Sequence, residues 1–80
     1  MIIRTVTMLN SNRDTKVIQM SETMPATWEI ITTTEIPDLT SMWGVRNTIR
    51  RKEFKDFWEA SKSFARRVKS NKRCGWIMKK

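Results

Sequence analysis

Residues 52–71, KEFKDFWEASKSFARRVKSN, contain neither glycine nor proline and are rich in lysine, glutamate, alanine and arginine. These four residue types are good helix formers, so the stretch predicts one long helix. On a helical projection the apolar side chains fall within an arc of about 120°: Phe54, Phe57, Trp58, Phe64, Ala65 and Val68. An apolar stripe at helical spacing predicts packing against another layer, with Trp58 at the edge of the contact.

Three runs rich in β-branched residues precede this helix, at residues 2–9, 15–20 and 27–34. Turn-forming residues 10–14 separate the first two runs and predict a hairpin. Residues 21–25, which end in a proline, separate the second run from the third. Ile36-Pro37-Asp38 ends the third run, because proline restricts the residue before it and cannot donate to a strand ladder. Residues 1–36 therefore predict an antiparallel β-meander.

Two shorter segments complete the fold prediction. Residues 41–51 predict a short helix, capped by Asp38, Thr40 or Ser41 and weakened by Gly44. Residues 74–78 are either a fourth strand or a segment that packs Trp76 and Ile77 on the core. The chain is thus expected to be one α+β domain with a three- or four-stranded sheet packed by one long helix. Its parts are the meander (1–36), a helical basic half (37–71) and a basic segment (72–80).

The charges are concentrated in the second half of the 80-residue chain. Residues 1–40 hold three basic and five acidic side chains, a net of −2, whereas residues 41–80 hold thirteen basic and three acidic ones, a net of +10. A concentrated positive field attracts polyanions and raises their association rate. The charge pattern therefore indicates a polyanionic partner, with nucleic acid as the leading class.

The helical projection also gathers five cations within about 60° of one another, on one flank of the apolar arc and over a rise of about 27 Å: Lys55, Lys62, Arg66, Lys69 and Arg73. We interpret them as contacts to phosphates, the alternative being a solvated face that happens to be basic. A second basic group lies at the junction of the two proposed helices: Arg46, Arg50, Arg51 and Lys52. Trp43, beside Gly44, is a candidate platform for base stacking, unless Trp43 and Trp76 instead close the two ends of the core.

Several function classes are disfavoured by composition. The chain has no histidine and only two isolated glycines, so it lacks imidazole bases and glycine-rich phosphate loops. We expect no catalysis, no metal and no cofactor. The single cysteine, Cys74, excludes an internal disulfide and, with the absence of a signal-peptide pattern, predicts a cytoplasmic protein. No apolar run is long enough to span a bilayer, and a helix lying on a membrane would need the apolar face that the strands require.

Two functional hypotheses remain from the sequence. The first is a regulatory or accessory protein that binds nucleic acid through phosphates, with RNA slightly preferred over DNA because tryptophan and arginine suit unstacked bases. The second is an inhibitor of the kind that bacteriophages encode, which docks on a host nuclease, toxin or polymerase, directly or through bound RNA. A domain this small also makes a homodimer plausible.

Overall fold

The computed structural model describes residues 2–37 and 45–79. These residues form a five-stranded sheet in the order β4-β3-β2-β1-β5, with one helix packed on one face. This confirms the predicted α+β architecture. The elements are β1 (Ile2–Leu9), β2 (Thr15–Met24), β3 (Thr27–Pro37), β4 (Val45–Phe54), α1 (Phe57–Arg73) and β5 (Ile77–Met78).

The first three strands form the predicted antiparallel meander. In the β1–β2 loop, Asn10 Oδ1 accepts hydrogen bonds from the backbone N–H groups of Asn12 and Asp14, each at 2.9 Å. Such side-chain-to-backbone bonds are why asparagine and aspartate favour turns. The turn between β2 and β3 is tight, and Ala26 adopts a φ of 59° in it. Both connections hold the strands in sequence order, so each strand pairs with the next along the chain.

β5 adds to the other side of β1 through the pairs Met8↔Met78 and Leu9↔Ile77. The Lys79 N–H extends this pairing by donating to the Thr7 carbonyl at 2.8 Å. Of the two alternatives for residues 74–78, a final strand is therefore confirmed over its last part. Trp76 also packs against the core, whereas Ile77 is exposed.

Residues 45–54 form a strand, so the short helix predicted over residues 41–51 is wrong from residue 45 onward; residues 41–44 lie outside the described ranges. β4 pairs with β3 along its whole length, from Pro37↔Val45 to Trp28↔Phe54. The physical reason is local: the β-branched residues in this stretch favour extended backbone over helix. The long helix consequently begins at Phe57 and not at Lys52.

Both ends of α1 are capped. Asp56 is the N-cap, and its Oδ1 accepts a hydrogen bond from the Trp58 N–H at 2.8 Å. At the other end, Gly75 adopts a φ of 94°. Its N–H donates to the Lys72 carbonyl, while the Trp76 N–H donates to the Asn71 carbonyl at 3.0 Å. This is a Schellman motif, which turns the chain from the helix back towards the sheet.

The core lies between α1 and the middle strands. Its fully buried side chains are Met8, Ile18, Met20, Ile30, Ala60 and Phe64. Val6, Trp28, Phe54, Val68 and Trp76 pack around them.

The predicted core positions divide into two groups. Phe64 and Val68 are confirmed, and Phe54 reaches the core from β4 rather than from the helix. Phe57 and Trp58 were expected in the apolar arc, but they are 38% and 70% exposed. The prediction for Ala65 is also wrong, since it is exposed. Because Phe54 is not part of the helix, the buried face is centred on Ala60, Phe64 and Val68, which follow one another at a spacing of four.

Candidate nucleic-acid interface

Four exposed cations follow one another along α1, and we name them the cation crest: Lys62, Arg66, Lys69 and Arg73. On the helical projection they lie within about 60° of one another, and their mean direction is nearly opposite to Phe64. The crest therefore faces solvent, not one flank of the buried face as predicted. It rises about 17 Å along the helix, compared with the 27 Å expected when Lys55 was included.

Within the described ranges, no carboxylate forms an ion pair with a crest residue. The carboxylate of Asp56, which precedes the helix, is engaged in capping it. Neighbouring cations at helical spacings of three or four each destabilise a helix by roughly 0.2–0.5 kcal/mol. The crest is thus a row of like charges whose mutual repulsion a bound polyanion would relieve.

An aromatic ring extends the crest at its N-terminal end. Trp58 lies one turn before Lys62 on the same side of α1 and is 70% exposed. It makes an edge-to-face contact with Phe57, with the ring centroids 5.9 Å apart, and Phe57 makes the same type of contact with Trp28. These contacts position the Trp58 indole while leaving most of its surface open. An exposed ring beside a row of cations can stack on an unpaired base.

Lys55 does not belong to the crest. It precedes the helix, and its Nζ forms an ion pair with Glu53 at 2.9 Å. The same Nζ donates to Thr27 Oγ1 at 3.3 Å. Its charge is therefore paired with Glu53 at the junction between β4 and α1.

The second predicted basic group is divided between the two faces of the sheet. It lies on a strand, where successive side chains point to opposite faces. Arg50 lies on the helix side, whereas Arg51 lies on the other side, 3.6 Å from Glu29. The Lys52 Nζ lies 5.3 Å from the centroid of the Phe54 ring. Arg46 pairs with Ile36 through the backbone of β4, and Trp43 lies outside the described residues.

Arg50 contributes to a concave site that the sequence did not predict, and we name this site the cationic cleft. It lies between α1 and strands β2, β3 and β4, and its volume is about 370 Å³. Its lining combines three cations, three hydroxyls and one amide: Lys16, Arg50, Arg67, Thr32, Thr34, Thr48 and Asn71. No carboxylate lines it among the residues that the structure describes.

Strand register assembles the floor of the cleft. Lys16 is opposite Thr34, and Thr34 is opposite Thr48, so these three residues form one row across three strands. In the next row Thr32 is opposite Arg50. The Arg67 side chain descends from α1 and donates to Thr32 Oγ1 at 3.2 Å. Helix and sheet thus direct their cations at the same space.

Lys16 is fixed by two contacts near the C-terminal end of α1. Its Nζ donates to Asn71 Oδ1 at 2.7 Å and lies 4.4 Å from the centroid of the Trp76 ring. Burial lowers the pKa of Lys16 below its usual value of 10.5, and the positive charge of Arg50 lowers it further, while Cys74 acts in the opposite direction. The Lys16 ammonium is therefore held in an environment that does not fully compensate its charge.

Arg50 is the one lining residue of the cleft that the sequence analysis proposed as a site residue; the cations Lys16 and Arg67, the three threonines and Asn71 were missed. One signal was available in β3, where the inward positions change from Ile30 to Thr32 and Thr34. A strand face that becomes polar partway along marks the end of the apolar core and the start of a polar site. The pairing of Lys16 with that part of β3 followed only from the register.

Among residues 2–37 and 45–79, no helix is long and apolar enough to cross a membrane. Comparisons of the chain with protein-family models, with curated proteins and with solved structures found no significant match.

Proposed function

We propose that this protein is a non-catalytic nucleic-acid-binding protein that acts in the reducing cytoplasm, where its exposed Cys74 would remain a thiol. The observation that carries the proposal is the cation crest, four exposed cations on one side of one helix that lack a described carboxylate partner. The crest matches a phosphate backbone in charge and presents its charges in a row. It contains no arrangement that would read base edges, so binding would depend on charge and shape.

Trp58 favours single-stranded RNA as the preferred form. Bases of single strands are accessible for stacking, whereas those of a duplex are not. An indole that is 70% exposed, one helical turn from Lys62, places a stacking surface next to a phosphate contact. The same crest would still bind duplexes through phosphates alone, with lower affinity.

The test compares two triple variants with the same change in charge. One neutralises the crest by Lys62→Gln, Arg66→Gln and Lys69→Gln; the other neutralises cations elsewhere by Arg13→Asn, Arg51→Gln and Lys79→Gln. Arg13 has a φ of 66°, which asparagine tolerates. Fluorescence anisotropy of labelled single-stranded RNA, duplex RNA and duplex DNA across a salt series gives the affinities. Because each phosphate contact contributes about 0.7 to the salt slope for a single strand, the crest variant should reduce the slope by about 2.

Two results would contradict the proposal. Equal losses of nucleic-acid affinity in the two triple variants would mean that binding depends only on net charge and that the crest is not a binding site. Binding of all three nucleic acids with equal affinity, abolished at physiological salt, would describe a generic polycation. Circular dichroism of both variants establishes that neither loss comes from unfolding.

The alternative function, an inhibitor that docks on a host protein, is favoured by a different surface. None of the described elements covers the second face of the sheet, where Val17, Thr33 and Ile49 form one row across three strands. Ile49 is 56% exposed. A flat face of this composition suits contact with a protein more than contact with phosphates.

The absorption spectrum of the purified protein separates the two functions. Co-purifying material that absorbs at 260 nm favours the nucleic-acid proposal or the composite in which RNA mediates docking. A clean protein spectrum favours direct docking on a protein.

A further inference from the structure

We propose that the cationic cleft binds a phosphate monoester, either a free phosphorylated small molecule or the phosphorylated 5′ end of a nucleic acid. This site is separate from the cation crest, because its cations come from β2, β4 and the sheet-facing side of α1. It would hold a free monoester even if the crest bound nothing.

The charge of the cleft indicates a dianion. Lys16, Arg50 and Arg67 line one concavity, and no described carboxylate lines it with them. A phosphate monoester carries about −1.5 to −2 at pH 7, compared with −1 for a backbone diester. Three converging cations therefore compensate a monoester better than they compensate a link in a continuous chain.

The polar groups between the cations suit the oxygens of such a group. Thr34 and Thr48 are direct cross-strand partners, so their hydroxyls lie on adjacent strands at the floor of the cleft. A hydroxyl can donate to a phosphate oxygen, and a guanidinium can donate two parallel bonds to a pair of phosphate oxygens. The cleft thus offers both charge and directional donors.

Two of the three cations, Lys16 and Arg67, are already held in place before a ligand arrives. Thr32 accepts one bond from Arg67, which has five N–H donors, so others remain for an anion. Lys16 is fixed between the Asn71 amide oxygen and the Trp76 ring. Side chains that are positioned in advance lose less conformational entropy when a ligand binds. The lowered pKa of Lys16 agrees with this picture, since an anion would supply the compensating charge that the fold does not.

The size of the cleft exceeds what an isolated phosphate needs. Its volume of about 370 Å³ lies within the range of roughly 300–1,000 Å³ that is typical of small-molecule sites. The site can therefore accept part of the organic group that carries the phosphate, such as a sugar. This argument favours a phosphomonoester over inorganic phosphate.

The experiment measures binding of adenosine 5′-monophosphate, inorganic phosphate and unphosphorylated adenosine to the whole protein by isothermal titration calorimetry at low salt. The key variant is Arg50→Gln, and its matched control is Arg51→Gln, the adjacent residue on the opposite face of the same strand. We expect the monophosphate to bind more tightly than inorganic phosphate and adenosine not to bind. Arg50→Gln should weaken monophosphate binding about tenfold or more, since it removes a charge-assisted contact, and Arg51→Gln should leave it unchanged.

No binding of the monophosphate at millimolar concentration would overturn the proposal, as would equal weakening by the two single variants. A Thr48→Val variant, which keeps the total charge, adds an independent check, because it should weaken binding only if the cleft floor contacts the ligand. None of these outcomes affects the proposal for the cation crest, because the crest triple variant tests nucleic-acid binding separately.

Two oligonucleotides of the same sequence, one with a 5′-phosphate and one with a 5′-hydroxyl, identify the source of the monoester. Tighter binding of the phosphorylated oligonucleotide, lost in Arg50→Gln, assigns the cleft to nucleic-acid ends. Equal binding of the two oligonucleotides, with monophosphate binding retained, assigns it to a free small molecule. Monophosphate binding is required in either case, so its absence would refute the site whichever way the two oligonucleotides behave.

Discussion

Lys16 is a half-buried lysine whose pKa is lowered first by burial and then by the charge of Arg50, with Cys74 opposing them. A lowered pKa means that the folded surroundings disfavour its charge on balance, in spite of the contacts with Asn71 and Trp76. The variant Lys16→Met keeps an unbranched side chain that is one atom shorter and removes the charge. We therefore expect it to unfold at the same temperature as the original chain or at a higher one at pH 7, as measured by circular dichroism.

The pH dependence of that comparison gives a second check. The folded chain releases the Lys16 proton at lower pH than the unfolded chain does, so the unfolded state binds more protons between the lowered pKa and 10.5. The free energy of unfolding of the original chain, measured relative to that of Lys16→Met, should rise with pH through this window and should be constant below it. Arg50, Arg67 and Cys74, which surround Lys16, are present in both chains. If Lys16→Met melts at a clearly lower temperature than the original chain at pH 7, the contacts of Lys16 with Asn71 and Trp76 stabilise the fold by more than burial of its charge destabilises it.

At the scale of elements, Gly75 determines how α1 ends. Its φ of 94° is costly for any residue with a Cβ, although no atom lies within 4 Å of where that Cβ would be. The cost of Gly75→Ala is therefore one of backbone conformation, about 1 kcal/mol. For a domain of this size we expect the melting temperature to fall by about 4–8 °C. The melting temperature of Gly75→Asn should fall by less, because asparagine tolerates the left-handed region better than alanine does. Equal melting temperatures of the original chain and the two variants would contradict the cap assignment.

Comparison of β4 with α1 shows which elements the sequence predicted and why one was missed. The first three strands and most of the helix followed from periodicity and turn residues. The short helix predicted over residues 41–51 depends on the candidate caps Asp38, Thr40 and Ser41, and the β-branched residues of β4 outweigh that signal. The basic residues of β4 suit its place at the edge of the sheet, because charges on an edge strand prevent pairing with other chains. The start of α1 had a readable signal, Asp56 followed three residues later by Glu59, which is a capping pattern.

At the scale of the whole molecule, the core is small, and Phe64 is its largest fully buried side chain. Replacing a buried phenylalanine by alanine costs about 3–5 kcal/mol, which equals what a single core supplies in a domain of this size. Phe64→Ala should therefore be largely unfolded at 25 °C by circular dichroism. Phe57→Ala, at a position 38% exposed, is the control and should stay folded. Cooperative melting of Phe64→Ala near the original temperature would contradict this account of the core.

Whole-molecule assembly also explains which part of the candidate site could be predicted. The crest lies on one helix, so its four cations are recognisable from spacing alone. The cleft joins residues that are distant in sequence: Lys16 and Asn71 are 55 positions apart, yet their side chains are in contact. Only the strand register and the position of α1 over β2, β3 and β4 bring them together, and neither can be read from local composition.

The placement of α1 on one face of the sheet separates the charges in space. The crest and the cleft lie on the helix side, whereas strand alternation places Glu29, Glu35 and Glu53 on the opposite face. Arg51 and Lys55 offset part of that negative charge through their ion pairs with Glu29 and Glu53. Such a particle has an electric dipole moment directed through the sheet. In the field of a polyanion it experiences a torque that turns α1 forward before contact. A larger fraction of encounters with the polyanion then begins with α1 facing it than would be expected if the same net charge were spread evenly over the surface.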